Sequence, residues 1–373
     1  MDINKLLMEA VKRRASDVHL RVPSPPVIRV DGELVPLRHH DACTAEDLRQ
    51  VFDDITTDIE RQHFDRDWEL DIAYSVPGLA RFRVNVSQQR GTLSIAFRHV
   101  SYTVPSIDDL GLPQVCKTLV LKRKGLIIVT GPTGSGKTTT LAAMIGHLNK
   151  HASRNVICIE DPIEYLHRNE KCLIAQRELG QDTKTFASAL KHCLRQDPDV
   201  ILVGEMRDLD TIGTAITAAE TGHLVLSTLH TNTASQTIDR IIDSFPQGQQ
   251  EQVRMQLGVV LEAVLAQTLV PRADGSGRVA SFEIMLGSDS IRNLIRENKV
   301  YQIPTYIQVG TKDGMQTMEQ ALQKLINNGV ITRDNAIAHC NNPEDLLILL
   351  GHGNKNKREE MSPPARAGAR HKV

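Results

Sequence analysis

LIIVT-GPTGSGKT-TTLAAMIGHL, residues 126–148, decides the fold. An apolar run meets a glycine-rich turn, and the turn opens a helical stretch. In that stretch Leu141, Met144, Ile145 and Leu148 recur at spacings of three and four, one apolar helix face. The loop fits G-x-x-x-x-G-K-[ST] through Gly131, Gly136, Lys137 and Thr138. Its glycines let backbone N–H groups curl around a phosphate, and the helix behind adds the positive end of its dipole. The residues from Gly131 through Pro132, Thr133, Gly134, Ser135, Gly136, Lys137 and Thr138 to Thr139 are therefore the expected nucleotide-binding set. Lys137 is expected on the β- and γ-phosphates and Thr138 on Mg²⁺, with ATP as the nucleotide. No NKxD-type guanine-reading motif occurs.

Outward from this loop the same rhythm repeats. The runs NVICIE (155–160), DVILVGE (199–205) and HLVLSTLH (223–230) are apolar throughout, not alternating, as expected for parallel strands covered on both faces. Such a sheet binds ligands beyond the carboxyl ends of its strands. Glu160, Asp161 and Glu164 crowd the end of the first run, and three carboxylates so close call for a cation. Spacing alone does not rank them. In the second run Asp199 opens the strand and Glu205 closes it. Six residues put them about 20 Å apart, so Glu205 takes the Mg²⁺ and water role and Asp199 becomes a strand-entry residue. His230 ends the last run and is the expected γ-phosphate sensor; His223, at the other end, is not expected in that contact.

Residues 1–100 read differently. MDINKLLMEAVKRRAS is an amphipathic helix, too charged for a signal peptide. VIRV-DG-ELVPL (27–37) is a hairpin turning at Asp31-Gly32, and DIAYSV (71–76), LARFRVNV (79–86) and LSIAFRHV (93–100) continue as an antiparallel meander. The expected division is a small α+β domain over 1–100, a proline-bearing linker over 101–115, and a P-loop domain over 116–353. Helical stretches are expected from the last apolar run to about residue 350. The final segment, 354–373, reads as a disordered basic tail.

Composition narrows the function classes. The 373 residues carry 44 basic and 45 acidic side chains and 3% aromatics, giving no bulk signal for nucleic acid. The six cysteines form no CxxC pair and no run reaches the ~18 residues of a membrane span, so a soluble cytoplasmic protein with reduced thiols is expected.

GPTGSGKTTT, CIEDPIEY, DPDVILVGEMRD and ETGHLVLSTLHTNTA, in this order, resemble the Walker A, Asp-box, Walker B and His-box motifs of the secretion ATPases of type IV pili and type II secretion. The likeness runs from ASDVHL (15–20) to GMQTMEQAL (314–322). Within that superfamily the chain most resembles the retraction (twitching-motility) ATPases of the PilT type. It begins almost directly at the small domain, and no cysteine falls between 194 and 339, where extension-type enzymes usually carry a four-cysteine zinc module. SIRNLIREN (290–298) is similar to the retraction-type AIRNLIREG motif, with Ser290 for Ala and Asn298 for Gly. As a helix it presents Ile291, Leu294 and Ile295 on one face and Arg292 and Arg296 as a cationic stripe beside it, a contact for the motor core or a partner.

The resemblance implies a PAS-like first domain, a RecA-like motor domain and a homo-hexameric ring that converts hydrolysis into domain rotation. It implies Glu164 as general base and Glu160 as support for metal and water. Arginines of the small domain or a neighbouring subunit are expected to neutralise γ-phosphate charge; Arg81, Arg83, Arg98 and Arg278 are the candidates. Pilus retraction is the implied function, at the inner face of the cytoplasmic membrane and against the inner-membrane platform protein of the pilus. Extension or type II secretion is the same-class alternative. A nucleic-acid motor and a non-hydrolysing accessory subunit are the alternatives from other classes.

Overall fold

The computed structural model describes residues 1–30, 32–100 and 103–351; Asp31 of the hairpin turn and the 354–373 tail lie outside the described residues. The chain divides into two compact units. The first comprises Met1–Val104 together with Asp161–Arg168 and Gln176–Thr185, and the second the remainder.

The first unit carries helices α1 (Ile3–Lys12), α2 (Ala45–Ile55) and α3 (Asp58–Asp67) and strands β1 (Asp17–Arg21), β2 (Val27–Val30), β3 (Glu33–Pro36), β4 (Glu69–Val76), β5 (Ala80–Gln89) and β6 (Thr92–Val100). The strands form an antiparallel sheet in the order β3-β2-β1-β6-β5-β4. Thr44 with Asp47 and Thr57 with Glu60 close reciprocal caps at the starts of α2 and α3, which is why each helix begins where it does. Along β5 the side chains alternate: Phe82, Val84 and Val86 are buried, and Arg81, Arg83 and Asn85 take the other face. Phe52, Phe64, Phe82 and Phe97 all go into this one core.

The second unit holds α4 (Val115–Val120), β7 (Gly125–Thr130), α5 (Lys137–His151), β8 (Asn155–Glu160), β9 (Leu173–Glu178), α6 (Phe186–Cys193), β10 (Val200–Val203), α7 (Leu209–Glu220), β11 (Leu224–Leu229), α8 (Ala234–Asp243), α9 (Gln250–Val260), β12 (Leu261–Pro271), β13 (Arg278–Leu286) and α10 (Asp289–Arg296), then four short helices to Leu349. Strand β9 spans the two units, its last residues falling in the first. The sheet order is β13-β12-β7-β11-β10-β8-β9. β8, β10, β11, β7 and β12 run parallel in register, so their carboxyl ends share one edge. Residues of one parity, Ile128, Ile157, Ile201 and Val225, enter the core beneath α6–α10. Those of the other, Ile127, Cys158, Leu202 and Leu226, enter the core beneath α4 and α5. Burial on both faces is the physical reason for the unbroken apolar runs.

One expectation fails. Residues 261–271 and 278–286 are two long paired strands, β12 and β13, and not helices. Their apolar runs have no helical period, and ADGSG (273–277) between them is a turn signal; the hairpin extends the parallel sheet with an antiparallel edge.

α10 forms where the sequence places it, with Ile291, Leu294 and Ile295 buried. Arg292, however, is no part of an exposed stripe. Its guanidinium donates to Gly287 O at 2.7 Å, to Val259 O, and to Glu262 Oε1 at 2.8 Å, while Lys122 Nζ donates to Glu262 Oε2 at 2.5 Å. Arg292 thus ties α10 to the end of α9 and the start of β12. Arg292→Ala strands two carbonyls and half of the Glu262 pairing, and should cost about 2 kcal/mol in a urea-denaturation midpoint. Exposed Arg296, which donates to its near neighbour Asn293, should cost less than roughly 0.5 kcal/mol as Ala. Equal costs would remove the bracing role.

Candidate nucleotide-binding and catalytic site

β7 delivers the chain into the glycine loop with Thr130 fully buried. At Gly131 φ is +144°, and an added Cβ would stand 2.2 Å from the Gln267 carbonyl oxygen, so only glycine fits. α5 begins at Lys137 behind Gly136, an N-cap residue with no side chain to offer the helix's first N–H groups. Those donors point into the loop and suit an anion. Lys137 Nζ donates to the Gly131 and Pro132 carbonyls at 2.8 and 3.0 Å. Burial pushes this ammonium below its ordinary value, and the Glu205 carboxylate pulls the other way, which places Glu205 within electrostatic reach of the loop. Ser135 Oγ is buried inside the loop and has no hydrogen-bond partner among the described residues. A buried hydroxyl in that state, an uncapped helix start and a buried ammonium together fit a bound polyphosphate.

Gln267 of β12 supports the loop from below. It is 3% exposed, its Oε1 accepts from Thr140 Oγ1 at 2.8 Å, and its backbone carbonyl presses on Gly131. A buried amide inside the apolar run LEAVLAQTLV was the sequence signal for it. A second brace joins the loop to the end of β11. Thr130 Oγ1 donates to Thr231 O at 2.8 Å, and Thr231 N donates back to Thr130 Oγ1 at 2.9 Å. The residue before the glycine loop is thereby fixed to the residue after His230.

β10 delivers Glu205. Gly204 N donates to Ile159 O at 2.7 Å, and a Cβ on Gly204 would lie 3.2 Å from that oxygen, so glycine lets the two strand ends close up. Ser227 and Thr228 of β11 hold the Val203 and Gly204 carbonyls at 2.8 and 2.6 Å. Glu205 Oε2 lies 3.0 Å from His230 Nε2, and Arg207 pairs with Oε1. Lys137, Glu205 and His230 are thus brought together at one sheet edge. Thr138, in the first turn of α5, and Glu205 offer hard oxygen ligands of the kind Mg²⁺ takes. Glu160, 8% exposed, ends β8 on the same edge. Asp199 sits at the opposite end of β10 and accepts from Asn155 N at 2.8 Å; His223 bonds Ala218 O.

The remaining candidates are carried by other segments of the chain. Glu164 is exposed, on a segment of the first unit fixed by its own contacts. Gln176 Nε2 donates to Tyr165 O at 2.8 Å, and Glu178 Oε2 accepts from Arg81 Nη2 at 3.1 Å and from Ile163 N at 3.4 Å. Arg81 therefore helps position the Glu164 segment. Arg98 bonds Asp17 at 2.9 Å and stands opposite Arg83 in the β5–β6 register. Arg278 is exposed and pairs with Pro271, five residues past the partner of Thr130, about 17 Å beyond β7 on the carboxyl side.

Glu283 of β13 was not foreseen. It accepts from Ala234 N at 2.7 Å, at the start of the helix that follows the His230 loop. Burial pushes its carboxyl up to about 7, the Ala234 hydrogen bond opposes this, and Glu319 reinforces it. The folded state then holds a proton that the unfolded chain releases near pH 4.5. Stability from this group is present below about 4.5 and is lost as pH rises through about 7, by about 3 kcal/mol. Glu283→Gln keeps an acceptor for Ala234 and cannot titrate. Denaturation midpoints at pH 5 and pH 8 should show wild type losing ground to the variant as pH rises; parallel profiles would refute the assignment.

A glycine-rich loop before a helix, with acid and histidine at the neighbouring strand ends, defines a P-loop nucleotide-binding protein. The chain belongs to the type II/IV secretion system protein family, which it matches over residues 1–342. It is 47% identical over 351 residues to the "type IV pilus retractation ATPase PilT" of Pseudomonas aeruginosa, covering 93% of this chain and all of that protein. A "twitching motility protein" of Neisseria gonorrhoeae is 46% identical over 86% of each chain. The crystal structure of the pilus retraction motor PilT with bound ADP superposes with a TM-score of 0.86 at 45% identity, over 93% of this chain and 99% of the other.

Proposed function

We propose that this protein is a cytoplasmic, Mg²⁺-dependent ATPase, assembled as a homo-hexamer, that powers retraction of a type IV pilus against an inner-membrane platform protein. The observation that carries the ATPase reading is the meeting of Lys137, Glu205 and His230 at one sheet edge, beside a loop that only glycine can build. Full-length similarity to retraction motors supports the direction of work.

In the proposed reaction a water oxygen attacks the γ-phosphorus in line with the bond to the β–γ bridging oxygen. That bond breaks and ADP leaves. Glu164 orients the water and takes its proton, and Glu160 supports the same water. Lys137 and the N–H groups of residues 133–138 hold the β- and γ-oxygens, and His230 reports the γ-phosphate to Glu205 through their hydrogen bond. Arg81, Arg83, Arg98 and Arg278, from the same or a neighbouring subunit, neutralise charge that builds on the departing group. Thr138 and Glu205 would hold Mg²⁺, which would supply Lewis-acid charge neutralisation.

Deleting the gene in its host tests the direction. Pili that accumulate on cells unable to move mean retraction. Absence of pili means an extension motor and overturns the reading.

A further inference from the structure

A cluster of metal-ligating side chains lies in the first unit and shares no residue with the proposed reaction. Glu9 comes from the middle of α1, and His39 and His40 from the turn after β3. Glu9 Oε2 lies 3.2 Å from His39 Nε2 and 3.0 Å from His40 Nε2, and Glu9 Oε1 lies 3.1 Å from His39 Nε2. The two imidazoles are 4.5 Å apart and tilted by 50°, so both turn the same nitrogen toward one carboxylate. One ligand atom from each residue falls within 4.8 Å of the others.

We infer that Glu9, His39 and His40 form a binding site for a borderline divalent cation of the Zn²⁺ type. Two imidazoles and a carboxylate are a ligand set that Zn²⁺ takes, and a tetrahedral ion with bonds near 2.1 Å separates its ligands by roughly 3.4 Å. The Glu9–histidine distances already approach that spacing, so small side-chain shifts admit the ion. Arg13 Nη2 lies 2.8 Å from Glu9 Oε1 and fixes the carboxylate from outside, as a ligand's supporting contact does. His39 is 54% exposed, which leaves a path for the ion and a coordination position for water. Ca²⁺ and Mg²⁺ do not fit, because they take oxygen ligands and two of these three are nitrogens. A bound ion would clamp α1 to the segment that follows the β2–β3 hairpin, across thirty residues of chain, and raise the stability of this unit.

Co²⁺ is the probe, because its visible absorption reports tetrahedral nitrogen and oxygen ligands. The untagged full-length protein, stripped with chelator, should bind one Co²⁺ here, displaced by Zn²⁺, and Zn²⁺ should raise its melting temperature. His39→Ala, His40→Ala and Glu9→Gln should each weaken binding at least roughly tenfold. The stacked pair His147 and His151 on α5 is a competing site, so His147→Ala/His151→Ala must leave this binding intact. Circular dichroism on each variant separates loss of a ligand from loss of fold. No Co²⁺ absorption in wild type, or absorption unchanged in the folded His39→Ala/His40→Ala protein, overturns the site.

Discussion

Lys137→Ala gives a folded protein whose ATP turnover is lower by at least about 10²–10³-fold and whose nucleotide affinity is greatly weakened. The side chain is 8% exposed, and its ammonium donates to two carbonyls of its own loop. Burial works against its charge, so the ammonium is a cost to the fold that a polyphosphate offsets. Alanine removes that cost together with the cation. The loop keeps its path because Gln267, Thr130 and Thr231 hold it independently of the lysine. Steady-state phosphate release and nucleotide titration, with circular dichroism as the control, check the prediction. Near-normal turnover in the folded variant would rule the site out.

How much of this was legible in the sequence depended on the kind of residue. Strands β7, β8, β10 and β11 are apolar on both faces, and that pattern has no other easy reading. β12 and β13 were lost because a long apolar run without period is shared by buried helices and buried strands; only ADGSG distinguished them. Lys137 was placed by the glycine-loop motif, and Glu205 and His230 by strand direction, which fixes the end on which a residue falls. Gln267 and Glu283 work through contacts between elements far apart in the chain, which no local spacing encodes. Arg292 shows the limit from the other side. Helical periodicity put it beside an apolar face correctly, yet its guanidinium bends back to Glu262, Gly287 and Val259 and becomes a brace.

Glu205→Gln should lower Mg²⁺-ATP turnover by roughly 10²–10³-fold, while Asp199→Asn should stay within about threefold of wild type. The two acids bound the same strand and differ in what their ends meet. Asp199 takes Asn155 N–H at 2.8 Å, and its own backbone joins β8 and β11 through Asn155 O and Leu224 N. Asparagine still offers an oxygen to Asn155, so the strand entry survives. Glu205 is reached by the Lys137 ammonium electrostatically and by His230 at 3.0 Å. Glutamine there keeps size and a hydrogen bond but removes the charge, which is the property a divalent cation and a neighbouring ammonium both use. The defect should therefore appear in turnover at saturating Mg²⁺-ATP, with the fold unchanged by urea midpoint. Equal losses from the two substitutions in folded proteins would mean that strand direction does not sort these acids, and that Asp199 reaches the reaction by a route absent from this sheet edge.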